Sequence, residues 1–296
     1  MKFAVLGPGG VGGLLAALLT RAGDTVVVIA SESTADAIAD QGLRVESARF
    51  GDFKVRVEAA KRLTEPVDAV FVTVKATHLD HALARVPAAA IGDALVIPLL
   101  NGIEHVERLR SVYPNARVVA AAIRIETTRV APGVIRHTSP FAAVDLHNVP
   151  GVEPIAARLR DAGLDVRLRD DEMALLWDKL ALLAPMALLT TYERANVGAT
   201  RARRRDDAVA MIHEIARIAA ADGATVDAEQ VVRVLDAVPA EMETSMQRDQ
   251  EAGRPTELDA LGGALLRRAA RAGVDAPVTA RLVAALEARS TGSPRR

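Results

Sequence analysis

The chain has 296 residues, of which 50% belong to the broad hydrophobic set, 25% are charged and 3% are aromatic, so it can form one large globular domain or two medium ones. Its 37 basic and 38 acidic residues give a formal net charge of −1, which offers no electrostatic reason to expect nucleic acid or an anionic membrane as a partner. The absence of cysteine excludes disulfides, thiolate metal sites and a cysteine nucleophile, and it fits the reducing cytoplasm in which we expect the protein to act.

The N-terminal segment combines features of a secretory signal with those of a strand–helix–strand unit. "FAVLG" (3–7) is an uncharged apolar run typical of a buried strand, the pattern turns helical between Val11 and Ala22, and "TVVVIA" (25–30) is rich in β-branched residues. Glycines and a proline interrupt the apolar stretch, and charged residues follow it where a cleavage site would stand. We therefore interpret the segment as the start of an α/β fold rather than as a signal peptide.

Further apolar runs alternate with helical patterns up to about residue 170. The predicted elements are strands at 68–75, 94–100 and 116–123, shorter β-like pieces at 133–139 and 142–147 that suit an antiparallel appendage, a helix at 152–163 and a strand at 164–170. Strands that alternate with helices indicate a parallel sheet wound on both faces. The first part of the chain is therefore predicted to be a Rossmann-like, doubly wound α/β sheet.

From Asp171 onward the sequence has only helical periodicity. The predicted helices are 172–191, 203–222, 227–250, 256–273 and 277–289. The first is strongly apolar, but Asp178 and Lys179 near its middle indicate a buried helix of a globular domain rather than a membrane span. We therefore predict a dinucleotide-binding domain at 1–169, a helical substrate and catalytic domain at 170–289, and a disordered tail at 290–296.

A glycine-rich turn follows the first predicted strand. Gly7, Gly9 and Gly12 form the pattern G-x-G-x-x-G, in which the first glycine permits a tight turn, the second lets a pyrophosphate approach the backbone, and the third lets the helix pack closely on the strand. The N–H groups at the start of the helix then attract the phosphates. A structural turn in an unrelated α/β protein is the alternative, but the flanking strand and helix favour nucleotide binding. The predicted cofactor-binding residues of the turn are Gly7, Pro8, Gly9, Gly10, Val11 and Gly12.

The end of the second predicted strand, which in such folds contacts the adenosine ribose, carries Ser31 and Glu32 with no basic residue beside them. An acidic side chain there binds the ribose hydroxyls of NAD, whereas an arginine pairs with the additional phosphate of NADP. Ser31 suits either cofactor. Glu32 favours NAD if its carboxylate points towards the ribose, and it is only a solvated or capping group if it points away.

Polar residues also follow two later strands. Lys75 ends one apolar run, and Asn101 with Gly102 follows the next in "LLNGIE". Because open α/β sheets bind ligands at the carboxyl ends of their strands, these residues point to one shared crevice. The alternative is a surface lysine and an asparagine in a turn.

Lys179 stands in "ALLWDKLALL", where leucines surround it on the helix. A lysine among apolar neighbours is costly to bury unless it is paired or takes part in a reaction, and such a group can give and take a proton. The alternative is an ammonium that reaches solvent beside Asp178 and Glu172.

Glu257 lies in "PTELDALGG", where Thr256 and Asp259 make a plausible capping box, so the local pattern by itself favours a helix start over a functional site. The histidines show no metal-ligand spacing. His78 and His81 have no third ligand nearby, and we predict no metal site.

Six stretches together resemble the ketopantoate (2-dehydropantoate) reductase family, in the same order and at similar spacing. They are "KFAVLGPGGVGG", "VTVKATH", "LLNGIEH", "LWDKLALLAP", "TSMQRDQ" and "RPTELDALGGALLRRAARAGVDAP". The likeness spans almost the whole chain, from Met1 to about Arg289. The combination is specific, although each stretch alone would not be.

This resemblance implies a Rossmann domain followed by a helical domain, with an active site between them that reduces the ketone of a 2-oxo acid with NADPH to form pantoate. It implies that Lys179 is the catalytic lysine, which stabilises the developing oxyanion and donates the proton. It further implies that Ser245 binds the substrate carboxylate and that Glu257 orients cofactor and substrate. Lys75 and Asn101 are implied to contact the cofactor and the reaction crevice. Asn101 is accordingly assigned to substrate binding as well.

The sequence departs from the family where substrate and cofactor are selected. Leu183, Ala187 and Met242 stand where the family has asparagines that bind pantoate, and Ser31 replaces the arginine that binds the NADP phosphate. Each unmet hydrogen bond of a hydroxylated substrate would cost about 1–3 kcal/mol. We therefore predict NADP(H) as cofactor with NAD(H) still open, and ketopantoate as substrate with a more apolar 2-oxo acid as the alternative. A non-catalytic nucleotide sensor is the alternative outside the enzymes, and the protein is expected to be a monomer or a homodimer.

Overall fold

The computed structural model describes residues 1–291, and the chain separates into two compact units. The first unit comprises Met1–Leu100 and His105–Leu175. The second comprises Asn101–Glu104 and the chain from Leu176 onward. The domain limits inferred from sequence, 1–169 and 170–289, stay a prediction. The short segment 101–104, which packs with the helical unit, was not foreseen.

The first unit contains the strands of the described residues. In chain order they are β1 (Lys2–Leu6), β2 (Thr25–Ile29), β3 (Leu43–Ser47), β4 (Phe53–Val55), β5 (Glu58–Ala60), β6 (Ala69–Val72), β7 (Leu95–Pro98), β8 (Arg117–Val118), β9 (Ala121–Arg124), β10 (Thr127–Ala131), β11 (Val134–His137), β12 (Ala143–His147) and β13 (Asp165–Arg169). The helices that lie between them are α1 (Gly10–Arg21), α2 (Glu32–Gln41), α3 (Leu79–Leu83), α4 (Ala88–Ile91), α5 (Glu104–Val112) and α6 (Glu153–Asp161), with a 3₁₀ turn at Ala76–His78 before α3.

The central sheet is six-stranded and entirely parallel, in the order β5-β2-β1-β6-β7-β8. This is the Rossmann order 3-2-1-4-5-6, with β3 and β4 inserted into the connection between β2 and β5. The predicted Rossmann-like α/β class is therefore confirmed. The strand order reverses between β1 and β6, and it is at the carboxyl ends of such a pair that α/β sheets bind their ligands.

Two smaller sheets complete the first unit, in the orders β10-β11-β3-β4 and β13-β12-β9. The pieces predicted at 133–139 and 142–147 do not form one antiparallel appendage, because β11 and β12 lie in different sheets and each has one parallel and one antiparallel neighbour. The register of β11 follows from its pairing with β3, a strand that was not predicted.

Helix α1 is apolar on every side because it is covered on every side. It contacts β1 and β2 of the central sheet and also β3, β10 and β11 of the four-stranded sheet, so every residue from Gly12 to Leu19 is buried. A helix enclosed in this way needs no polar face. This enclosure is the physical reason why the segment resembles a signal peptide in composition.

Among its described residues, the second unit contains helices and connecting loops but no strand. Its helices are α7 (Glu172–Glu193), which begins in the first unit, α8 (Val197–Ala221), α9 (Ala228–Ala237), α10 (Ser245–Glu251), a π-helical turn (Asp259–Gly263), α11 (Ala264–Ala272) and α12 (Pro277–Thr291). The helix predicted at 227–250 is thus two helices, because the segment between α9 and α10 contains Pro239 and the N-cap Thr244, whose hydroxyl accepts a hydrogen bond from the N–H of Gln247. The tail predicted at 290–296 is helical up to Thr291, and 292–296 lie outside the described residues.

Helix α7 has the length and mean hydropathy needed to cross a membrane, and among residues 1–291 no other helix does. Of its apolar stretch, 67% is buried inside the protein. Its deepest side chains include Leu175, Trp177, Ala181 and Ala184, each 0% exposed. The helix therefore has the burial expected of a core helix.

Candidate functional site

In the turn between β1 and α1, backbone conformation and packing both require a glycine at the first position of the motif. Gly7 has φ +92°, a backbone conformation that side-chain-bearing residues rarely adopt. A Cβ atom at this position would also lie 2.3 Å from Cγ1 of Val74, just beyond β6. The turn thus packs directly against the end of the neighbouring strand.

The third glycine of the motif is required by a hydrogen-bonded threonine. Thr73, the residue after β6, donates from its hydroxyl to the carbonyls of Leu6 (2.9 Å) and Gly7 (2.8 Å). A Cβ at Gly12 would lie 2.2 Å from the Thr73 Oγ1 and 2.3 Å from the Gly7 carbonyl oxygen. Thr73 therefore joins β6 to the turn, and nothing in the local sequence pattern indicated this role.

No contact within the protein requires a glycine at the second position of the motif. Gly9 has an ordinary φ of −71°, and a Cβ built on it would meet no atom within 4 Å. Gly9 is also the N-cap of α1, no side chain caps this helix, and its first turn carries no acidic residue. The open space at Gly9 and the positive end of α1 fit a pyrophosphate that approaches the backbone, so the turn suits a dinucleotide.

The remaining residues predicted in the turn occupy different environments. Pro8 is buried, Val11 is half-buried, and Gly10 faces Thr127 of β10, whose carbonyl oxygen would lie 2.7 Å from an added Cβ. Gly10 therefore allows the start of α1 to pack against the four-stranded sheet.

Lys75 follows the same strand end as Thr73. It is half-buried, lies two residues after Thr73 and immediately precedes the 3₁₀ turn. The N–H of Thr73 donates to the carbonyl of Leu6 in β1. Lys75 therefore lies at the carboxyl-end edge of the β1–β6 pair, the edge at which the sheet is expected to bind its ligand.

The end of β2 acquires a basic partner that the sequence pattern did not reveal. Ser31 is the exposed N-cap of α2, and its hydroxyl donates to Oγ1 of Thr34 at 3.1 Å. Glu32 pairs with Lys61, which follows β5, the strand beside β2. The hydrogen bond between them lowers the pKa of the Glu32 carboxyl and raises the pKa of the Lys61 ammonium.

An arginine holds this edge of the sheet together. Arg85 donates from Nη1 to the carbonyl of Ala30 (3.1 Å) and to that of Lys61 (3.2 Å), and so bridges the ends of β2 and β5. The Glu32 carboxylate, although its side chain is 72% exposed, is therefore paired with Lys61.

Asn101 and Glu257 meet in the second unit. The amide Nδ2 of Asn101 donates to Oε2 of Glu257 at 2.9 Å, although the residues are 156 positions apart. Glu257 is only 6% exposed, so its carboxylate is buried rather than solvated at a helix start. The predicted capping box is wrong, because the π-helical turn has no side-chain cap and Asp259 binds Arg267 instead.

Lys179 lies on a half-exposed face of α7. It shares this face with Leu182 and Leu183, which are also half-buried, whereas Ala181 and Ala184 on the opposite side are fully buried. Lys179 therefore belongs to a half-exposed, leucine-rich face of α7.

The position of α10 relative to α7 is set by two buried threonines. Oγ1 of Thr190, on α7, and Oγ1 of Thr244, the N-cap of α10, lie 2.8 Å apart. Ser245 follows Thr244 and is exposed. Helix α7, which carries Lys179, is thus hydrogen-bonded to the residue that precedes Ser245.

Of the three apolar residues that replace family amides, Ala187 is 1% exposed and Leu183 and Met242 are half-buried. The structure brings together Asn101 with Glu257, and the glycine turn with the end of β6. Lys75 belongs to the first unit and Asn101 to the second, so their shared crevice stays a prediction.

Comparison with known proteins identifies the two halves separately. Residues 3–150 match the family model described as "Ketopantoate reductase PanE/ApbA", and residues 171–290 match "Ketopantoate reductase PanE/ApbA C terminal". The 2-dehydropantoate 2-reductase of Mycobacterium tuberculosis is 30% identical over 301 residues, which cover 98% of each chain.

Among solved structures, a PanE/ApbA family ketopantoate reductase from Ralstonia eutropha JMP134 has a TM-score of 0.90 at 28% identity, with 98% of this chain and 99% of that chain covered. A D-mandelate dehydrogenase in complex with NADH and anilino(oxo)acetate has the same TM-score and coverage at 22% identity, which shows a shared fold.

Proposed function

The chain belongs to the ketopantoate reductase family of NAD(P)-dependent oxidoreductases acting on a 2-oxo acid, and we propose that it reduces 2-dehydropantoate to pantoate with NADPH, a step towards pantothenate and coenzyme A. A small-molecule reaction of this kind requires no nucleic acid or membrane. We place it in the cytoplasm.

The observation that carries the proposal is the position of Lys179, a half-buried residue on a leucine-rich face of α7. A reduced nicotinamide, when bound at the glycine turn, supplies the hydride for the carbonyl carbon. The Lys179 ammonium donates a hydrogen bond to the carbonyl oxygen, stabilises its developing negative charge and transfers a proton to it. An apolar surrounding strengthens this interaction, because less water competes for the oxygen.

The other residues of the second unit orient the reactants in this proposal. Glu257 accepts the hydrogen bond from the Asn101 amide, which fixes the amide and leaves its oxygen to accept from a ligand. The Ser245 hydroxyl donates to the substrate carboxylate. Neither group changes its covalent state, so both contribute through orientation.

A second candidate substrate is a 2-oxo acid with an apolar side chain. The side chains of Leu183, Ala187 and Met242 have no group that would bind the hydroxyl of ketopantoate as an asparagine amide does. The fold can accommodate such a ligand, since the D-mandelate dehydrogenase of the same fold was solved with anilino(oxo)acetate.

Steady-state kinetics with ketopantoate and with branched or aryl 2-oxo acids tests the proposal. We expect kcat/KM for ketopantoate to exceed that for each apolar acid. If kcat/KM for an apolar acid is at least about ten-fold higher than for ketopantoate, the apolar acid is the substrate class. A difference of this size corresponds to the loss of one or two hydrogen bonds. Nucleotide binding without turnover of any 2-oxo acid would instead indicate a sensor.

We propose NADPH as the cofactor, with Lys61 in the place of the family arginine. The ammonium stands at the end of β5, beside β2, where the extra phosphate of NADP is bound in Rossmann folds. A phosphate would compete with Glu32 for the ammonium. Both side chains are largely exposed, with 53% and 72% of their surfaces accessible, so this exchange involves little desolvation.

Lys61→Gln is expected to weaken NADPH binding about five- to ten-fold and to leave NADH binding unchanged, because only NADPH carries the additional phosphate. Glu32→Gln is expected to strengthen NADPH binding, since it releases the ammonium. Fluorescence titration measures both, and Lys54→Gln, which removes an exposed lysine from β4, serves as the matched control. If Glu32→Gln weakens NADH binding while Lys61→Gln changes nothing, Glu32 binds the ribose hydroxyls and the cofactor is NADH.

A further inference from the structure

A single guanidinium on α11 joins two carboxylates that come from distant parts of the chain. Arg267 donates from Nε and Nη2 to the two carboxylate oxygens of Glu104, at 3.1 and 2.7 Å. Its Nη1 donates to Oδ1 of Asp259 at 2.7 Å. Glu104 and Arg267 are 163 positions apart, and both belong to the second unit.

These two carboxylates flank the hydrogen bond between Asn101 and Glu257. Glu104 ends the short segment Asn101–Glu104 that packs with the helical unit, and Asp259 opens the π-helical turn that follows Glu257. The guanidinium therefore connects the two backbone segments that carry the bonded pair. π-Helical turns are uncommon and are frequent at functional sites.

Two glycines give the backbone the shape that this connection requires. At Gly263 an added Cβ would lie 2.3 Å from Oδ1 of Asp259 and 3.2 Å from Nη1 of Arg267, so a side chain would displace the ion pair. At Gly102, where φ is +87°, an added Cβ would lie 2.5 Å from the Ala260 carbonyl oxygen. The 101–104 segment thus contacts the backbone of the π-helical turn directly.

Stability alone does not account for such an arrangement. The side chains of Arg267, Asp259 and Glu104 are 46%, 82% and 32% exposed, and ion pairs that water reaches contribute little to folding. A planar guanidinium that donates to two carboxylates does, however, fix their relative position, because its donors have a rigid geometry. The hydrogen bonds that Arg267 donates to both carboxylates raise the pKa of its guanidinium, which therefore stays charged.

We propose that Arg267 is a positioning residue, which holds the Asn101 segment against the π-helical turn so that the Asn101 amide and the Glu257 carboxylate remain bonded in one orientation. The inference rests on the proposed function for the roles of Asn101 and Glu257. The guanidinium acts through them and has no contact of its own with the reacting groups in this proposal.

Arg267→Gln is expected to lower kcat/KM between about 10- and 100-fold, the usual consequence of a small displacement of an orienting group. The matched control is Arg205→Gln, which removes another exposed arginine of the same unit, paired with Asp236 at 2.8 Å. That variant is expected to keep the wild-type kcat/KM. Comparable activity in the two variants would overturn the proposal.

A double-mutant cycle separates positioning from a general structural effect. If Arg267 acts through Asn101, Arg267→Gln has almost no further effect on kcat/KM in the Asn101→Ala background. Full additivity of the two changes would mean that Arg267 acts elsewhere.

Hydrogen exchange provides a readout that does not depend on turnover. The amides of residues 101–104 are expected to exchange faster in Arg267→Gln than in the wild type, and at the wild-type rate in Arg205→Gln. A wild-type protein that reduces no 2-oxo acid would refute the proposed function alone, whereas unchanged exchange in Arg267→Gln would refute the positioning role.

Discussion

Lys179→Ala is expected to lower kcat on the best 2-oxo acid by about 10²–10⁴-fold, with a smaller change in KM. The side chain is assigned both to oxyanion stabilisation and to proton donation, and general acid catalysis alone contributes a factor of this size. Both contributions arise as charge develops on the carbonyl oxygen, so their loss lowers kcat more than substrate binding. Steady-state kinetics at saturating cofactor measures the effect.

Two controls make this result specific to the ammonium. Lys179→Arg keeps the charge but is a much weaker proton donor, so it should retain more activity than the alanine variant and less than the wild type. Thermal unfolding of Lys179→Ala shows whether the fold is intact, and cofactor titration shows whether the glycine turn still binds. Near-normal turnover by an intact Lys179→Ala protein would show that another group protonates the product.

Gly9→Ala is expected to weaken binding of the dinucleotide by at least about ten-fold without a measurable change in the free energy of unfolding. The protein has no atom within 4 Å of the new Cβ, and φ at this position is −71°, so alanine fits the fold. The same methyl group would occupy the space in which a pyrophosphate approaches the backbone. Cofactor titration and chemical denaturation measure the two quantities.

Gly12→Ala is the matched comparison within the same turn. Its Cβ would lie 2.3 Å from the Gly7 carbonyl oxygen, a backbone atom that cannot move aside cheaply, so we expect a free energy of unfolding about 1–3 kcal/mol lower. The two variants thus separate a glycine required by the ligand from a glycine required by the fold. Equal loss of stability in both would contradict this distinction.

The nucleotide-binding half could be predicted largely from local sequence. Buried parallel strands are continuous apolar runs, and the glycine spacing between a strand and a helix is itself a recognisable pattern, although Gly7 and Gly12 also pack against Val74 and Thr73 after β6. The short strands β3, β4, β5 and β10 escaped prediction because they are held by their neighbours rather than by apolar runs of their own. β10 is almost wholly exposed, with Val130 at 50%.

The candidate site in the helical half could be predicted only through family resemblance. The local pattern around Glu257 predicted only a helix start, whereas its hydrogen bond with Asn101 depends on the tertiary fold. In the same way, the sequence near Glu32 shows no basic partner, and only the pairing of β2 with β5 reveals Lys61 beside it. Arg267 carried no signal at all, since a surface arginine on an amphipathic helix is ordinary.

The amino-acid sequence by itself determined the types of the long elements, the order of sheet and helices, and the glycine-rich turn, because hydrophobic periodicity and backbone sterics act over a few neighbouring residues. The tertiary structure alone decided which charged and amide side chains face one another, because those partners come from segments far apart in the chain. Their distances depend on strand order and helix packing, and no periodicity in the sequence encodes them.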